Sequence, residues 1–132
     1  MSLGIGTVHT KSSKQKLNTK SSTEAELVGV SDYLPYSLWA RMFLEEQGLK
    51  IIKNVLFQDN QSAILLEKNG KGSSTGNTRH INICYYFVKD RIKNKEVEVL
   101  YCPTTNMLGD FYSKPLQGEL FRYYRNILMG YV

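Results

Sequence analysis

The sequence predicts an α/β fold with a partly parallel sheet. Two short runs, Val55-Leu56-Phe57 and Val97-Glu98-Val99-Leu100-Tyr101, are rich in β-branched and aromatic residues and are closed by Asp59 and Pro103. Around them, apolar residues recur at helical spacing. Strand and helix alternate along the chain, which is the order that parallel strands joined by helical crossovers require.

The elements follow in order. Gly4 and Gly6 suggest a turn, with a short strand over Thr7-Val8-His9-Thr10. Lys11, Lys14, Lys16 and Lys20 make this region basic, either a lysine-protected edge strand or a phosphate-contacting face. Ser21 or Ser22 caps a helix whose first turns carry Glu24 and Glu26, where the helix dipole favours acidic groups. Leu27, Val30, Leu34, Leu38, Phe43 and Leu44 form its apolar stripe, and Gly48 ends it. Pro35 predicts a kink or two consecutive helices. Val55-Leu56-Phe57-Gln58-Asp59 reads as a buried strand with Asp59 at its C-terminal end.

A short helix is expected over 61–68, then a mobile basic loop over 69–77. Thr78 caps a helix to about Lys93, with Ile81, Cys84, Tyr85 and Val88 on one face. Val97–Tyr101 is a strand. A short helix over 108–114 precedes Pro115, and an amphipathic helix over 117–128 closes the chain. Trp39 and Phe43 share a helical face and are expected in the core. Phe121, Tyr123 and Tyr124 are expected to pack the last helix or an interface.

With 132 residues and 15.1 kDa, the chain is sized for a single small domain. Its hydrophobic share of 42% is that of a globular chain rather than a disordered one. No apolar run is long enough to cross a bilayer, so no membrane partner is expected. Met1–Gly4 lacks the basic and apolar parts of a secretory signal. The net charge of +5 favours polyanionic partners, chiefly nucleic acid. Cys84 and Cys102 match no zinc spacing and are too few for a disulfide framework, so reduced thiols in an intracellular setting are expected.

Three carboxylates stand where chemistry is expected. Glu26 lies in the first turns of a helix, Asp59 at a strand end, and Asp110 at the start of a helix soon after a strand. Carboxylates at such positions gather at the ligand-binding edge of an α/β sheet, and hard oxygen donors suit Mg²⁺. Taken singly, each also reads as a helix cap or helix-terminal charge.

Lys14-Gln15-Lys16, Ser21 to Glu26, Asp59-Asn60-Gln61-Ser62-Ala63-Ile64, Thr78-Arg79-His80-Ile81-Asn82-Ile83 and Asp110-Phe111-Tyr112-Ser113-Lys114-Pro115-Leu116 occur in this order. In this the chain resembles the ribonuclease H domain of copia-type LTR retrotransposon polyproteins, over nearly its whole length. The resemblance implies a ribonuclease H-like mixed sheet with flanking helices, following a reverse transcriptase segment in the polyprotein. It implies hydrolysis of RNA in RNA–DNA hybrids by two Mg²⁺ ions about 3.5–4 Å apart, with Mn²⁺ as a substitute. Glu26, Asp59 and Asp110 match the last three of the family's four metal-binding carboxylates, and Glu24 is then a helix-dipole or capping residue.

The family's first aspartate has no counterpart, since nothing before Glu24 is acidic. The expectation is a single domain over 1–132 that lacks its first strand and much of its second. Such a chain is expected to be a weak or inactive nuclease by itself. The alternative is a non-catalytic nucleic-acid-binding remnant of a degraded element. Cys84 replaces an expected basic residue, and Gly109 an alanine. No histidine lies between Tyr101 and Asp110, which fits the retrotransposon branch. Hybrids are read through minor-groove shape, backbone and 2′-OH groups. Ser22, Thr23, Asn60 and Gln61 are the candidate contacts, with helix capping the competing role of Ser22 and Asn60. Arg79 and His80 open a helix and suit phosphate, with packing against the sheet the competing role of His80.

Overall fold

A computed structural model describes residues 1–69 and 79–131. They form two compact units. One is Gln15–Cys102, and the other joins Met1–Lys14 to Pro103–Val132.

In the Gln15–Cys102 unit, helix α1 spans Ser22–Glu46. Its cap is Ser21, in extended backbone, whose hydroxyl accepts the Glu24 N–H at 3.2 Å. Glu24 reaches back and accepts the Lys20 N–H at 2.8 Å. Two otherwise unmet donors are thus satisfied by a near-reciprocal cap, and Glu24 takes the capping role. At the other end Gly48 adopts φ +82°. Its N–H bonds the Glu45 carbonyl, and Leu49 N–H bonds that of Leu44. This is a Schellman ending, and it requires the left-handed backbone that glycine supplies.

Pro35 does not divide this helix in two. It lies inside one continuous element. The proline removes one N–H donor, but Leu27 and Leu34 before it are in the core and Leu38 after it packs against that core, so packing holds both halves together.

Strand β1 (Val55–Gln58) pairs in parallel with β2 (Glu98–Tyr101), in the register Val55↔Glu98 to Gln58↔Tyr101. Between them in sequence come helices α2 (Gln61–Asn69) and α3 (Arg79–Lys93). Helix α2 packs against both strands. The core is built from Leu27, Val28, Val30 and Leu34 of α1, Ile81, Cys84, Tyr85 and Val88 of α3, and Val97 before β2. The α3 residues recur at intervals of three and four, the stripe expected of them. Val97 and Val99 are buried while Glu98 and Leu100 are exposed, as strand alternation demands.

The expectation that Val55–Phe57 is buried fails at Phe57, which is 59% exposed. Its register partner Leu100 is exposed as well. Helix α2 covers one face of the pair, and Phe57 and Leu100 point away from the buried Gln58 and Val99.

In the second unit, the segment expected as a strand over Thr7–Thr10 forms no strand. It folds back on the chain start instead. Val8 N–H bonds Met1 O at 3.0 Å, and the Met1 amino group bonds His9 O at 2.7 Å. Thr7 N–H bonds Leu128 O at 2.9 Å, which brings Gly6 beside Gly130. A side chain on Gly130 would meet Ile5 at 3.2 Å, and both glycines have positive φ.

Two 3₁₀ turns follow, Thr104–Asn106 and Leu108–Tyr112. The second replaces the helix expected over 108–114. Gly109 lowers helix propensity, and Pro115 disfavours α geometry in the residue before it, so the turn stays short. Helix α4 spans Gly118–Leu128. It is anchored by Tyr124, which is buried and donates its hydroxyl proton to Thr105 O at 2.6 Å. Phe121 stacks on Phe111 at 5.1 Å, while Tyr123 is exposed.

Trp39 corrects a core expectation. It is 64% exposed and stacks at 5.4 Å on Phe43, which is itself 49% exposed rather than in the core, so both rings lie outside the buried face of α1. The core-facing stripe runs through Leu27, Val30, Leu34 and Leu38 at intervals of three and four, and position 39 falls off it. The loop expected over 69–77 lies outside the described residues from position 70 onward, and so does the Thr78 cap.

Candidate functional site

The start of α1 and the junction between β1 and α2 come together in the larger unit. Asn60 is the hub. Its Oδ1 accepts the Ala63 N–H at 3.1 Å, which caps α2. Its Nδ2 lies 3.5 Å from Thr23 Oγ1, a long hydrogen bond. Its backbone N–H bonds Gln58 Oε1 at 3.2 Å, and Gln58 is buried. A buried amide at the strand end thus sets the turn that carries Asp59, and Asn60 ties that turn to α1.

Asp59 is half-buried on this turn, directly after β1. Glu26 is exposed, one residue past the first turn of α1. Ser22 and Gln61 are exposed first residues of α1 and α2, and Thr23 is half-buried. Ser22 is not the cap of α1, since Ser21 fills that role. Asn60 is a cap, and one edge of its amide meets Thr23. Arg79 is the first residue of α3, and His80 beside it is exposed.

Asp110 belongs to the other unit. It lies in the Leu108–Tyr112 turn and pairs with Lys114 at 2.8 Å, with its side chain 14% exposed. Among the described residues, no three His, Cys, Asp or Glu side chains converge closely enough to hold a metal ion. The oxygen donors of Glu26 and Asp59 suit Mg²⁺ in kind, but the described residues do not close a site around it.

A further carboxyl, Glu67 on α2, went unread in the sequence. It is fully buried, and neither oxygen has a hydrogen-bond partner. Burial pushes its pKa from 4.5 up to about 7. The Gln58 amide offsets this in part without closing a full hydrogen bond, the Glu26 charge adds to the rise, and Lys68 opposes it. The signal in the sequence was spacing, because Ala63 and Glu67 lie four apart and share the buried face of α2.

Comparison of the sequence with known proteins finds relatives among transposon polyproteins. The chain is 29% identical over 116 residues to the retrovirus-related Pol polyprotein from transposon TNT 1-94 of Nicotiana tabacum, covering 88% of this chain and 9% of that protein. Against the retrovirus-related Pol polyprotein from transposon RE1 of Arabidopsis thaliana it is 31% identical over 121 residues, covering 91% of this chain and 8% of the relative. The corresponding protein from transposon RE2 of the same plant is 30% identical over 121 residues, with the same coverage. The chain therefore spans less than a tenth of the length of these curated relatives. No protein-family profile matches it, and no solved structure does. Its homologues are retrovirus-related Pol polyproteins of transposons.

Proposed function

We propose that this retroelement segment is the ribonuclease H portion of a Pol polyprotein, that it holds RNA–DNA hybrid, and that as this chain alone it is a weak or inactive nuclease. The observation that carries the reading is the Asn60 hub. It joins the segment bearing Glu26 to the turn bearing Asp59, in a chain whose homologues are Pol polyproteins. Thr23, Asn60 and Gln61 supply hydroxyl and amide groups around that junction. Such groups suit the 2′-OH and backbone contacts by which a hybrid is read.

Divalent cations, when bound by a complete set of carboxylates, supply an activated water and stabilise the leaving oxygen. Here Glu26 and Asp59 would each offer an oxygen donor to such a cation. The chain's net charge of +5 supports affinity for the phosphate backbone.

The test is equilibrium binding of a labelled RNA–DNA hybrid and a DNA duplex of the same sequence. The proposal expects the hybrid to bind several-fold more tightly, and Gln61→Ala to reduce that preference. Equal binding of both duplexes would leave only charge attraction and overturn it.

A further inference from the structure

The Met1–Lys14 and Pro103–Val132 unit contains an open cavity of about 340 Å³. Its walls come from three separated stretches. They are the Thr7–Thr10 segment, the Phe111-Tyr112 pair, and Arg125 and Leu128 of α4 with Met129 just after it. The volume sits at the lower end of those that hold small ligands.

The wall chemistry is mixed in a specific way. Arg125 contributes a guanidinium whose side-chain hydrogen bonds, among the described residues, go to Asn126 Oδ1 at 3.2 and 3.0 Å. No carboxylate among the described residues pairs with it. A permanently charged fork is left at the cavity wall with donors to spare. Tyr112 and Phe111 meet edge to face at 5.4 Å, and Phe111 is held by its stack on Phe121. The three rings thus form one contiguous aromatic cluster. Thr7 and Thr10 add hydroxyls, and Leu128 and Met129 add apolar floor.

A planar apolar group with an anion attached would satisfy every wall. The ring system packs on Tyr112 and the apolar floor, and the anion meets Arg125. Hydroxyls from the Thr7–Thr10 segment can bond a sugar. We propose that this cavity binds a single nucleotide, with Arg125 on its phosphate and Tyr112 against its base. The nucleotide is free or is the unpaired end of a nucleic-acid strand. The inference rests on these walls and not on the ribonuclease H reading, because none of the residues of the Asn60 hub takes part.

The experiment uses the full chain. Uridine 5′-monophosphate and uridine are titrated by calorimetry, and a labelled single-stranded pentathymidylate by fluorescence anisotropy. Saturable binding of the monophosphate, at least tenfold tighter than the nucleoside, is expected. Arg125→Ala should remove that difference, and Tyr112→Ala should weaken both ligands about fivefold. Arg122→Ala, a charge change on the same helix outside the cavity, should alter neither by more than twofold. Tighter binding of the pentamer than of the monophosphate identifies a strand end, and the reverse a free nucleotide.

A methyl-labelled sample reads the wild-type site without any variant, through shifts of the Met129 methyl on adding monophosphate. Absence of a saturable shift overturns the proposal. Equal losses in Arg125→Ala and Arg122→Ala also overturn it, since general charge attraction then explains the binding. Because hybrid is absent from these assays, their failure leaves the proposed function standing, and the converse holds.

Discussion

Asn60 bonds in two directions at once, capping α2 through Ala63 N–H at 3.1 Å and reaching Thr23 Oγ1 of α1 at 3.5 Å. The first bond is the stronger by length and carries the stability. Asn60→Ala should cost about 1 kcal/mol, the usual loss for a helix cap. Asn60→Asp keeps the cap acceptor and should recover most of it. Urea unfolding of the two variants measures the difference. If Ala and Asp are equally destabilised, the cap is not what Asn60 contributes.

Glu67 makes stability depend on pH. Its folded pKa is raised from 4.5 to about 7, so the folded state holds its proton over a range where the unfolded chain has lost it. The contribution is fully present below about pH 4.5 and is lost as pH rises through about 7. A loss on the order of 2 kcal/mol is expected, allowing for solvent screening. Glu67→Gln keeps the shape without the charge and should flatten this dependence. Melting temperatures at pH 5 and pH 8 decide it, and an unchanged pH slope in the variant contradicts the assignment.

Trp39 is the only tryptophan, so its fluorescence reports one site. At 64% exposure it should be quenched by acrylamide in the folded protein nearly as efficiently as in urea. Strong protection in the folded state would return Trp39 to the core and contradict its stacking on Phe43 at the surface.

Gly48 carries a φ of +82° at the end of α1, and the space beside its Cα is open. Gly48→Ala should therefore cost about 1 kcal/mol through backbone strain alone. Gly29 lies inside α1, also beside open space, and Gly29→Ala should stabilise by a similar amount. Opposite signs in parallel denaturation curves are the expected outcome, and equal signs would contradict the Schellman ending.

Helices were legible where a local rule suffices. Ser21 and Glu24 mark the start of α1, Gly48 its end, and the Ile81, Cys84, Tyr85 and Val88 stripe marks the buried face of α3. The misreadings needed partners distant in sequence. Thr7–Thr10 has strand-like residues, but its backbone groups are taken by Met1 and Leu128. Pro35 is a breaker by local rule and is overridden by packing on both sides. Trp39 follows hydrophobicity into the core only until the phase of the α1 stripe is known. Glu26, Asp59 and Asp110 stand out in the sequence, and the structure puts Glu26 and Asp59 in one unit and Asp110 in the other. The Asn60 link to Thr23 was not legible, because it depends on how α1 meets α2, whereas the burial of Glu67 was signalled only by its spacing from Ala63.

The central claim is tested most directly by incubating the chain and its Asp59→Ala variant with labelled RNA–DNA hybrid and Mg²⁺, reading bound and cleaved hybrid together. The account predicts that both proteins bind the hybrid, with affinity falling steeply as salt rises. It also predicts little or no cleavage by the chain above the level of the variant. Failure to bind hybrid would contradict the account, and so would vigorous cleavage that Asp59→Ala abolishes, since the chain would then be a complete nuclease.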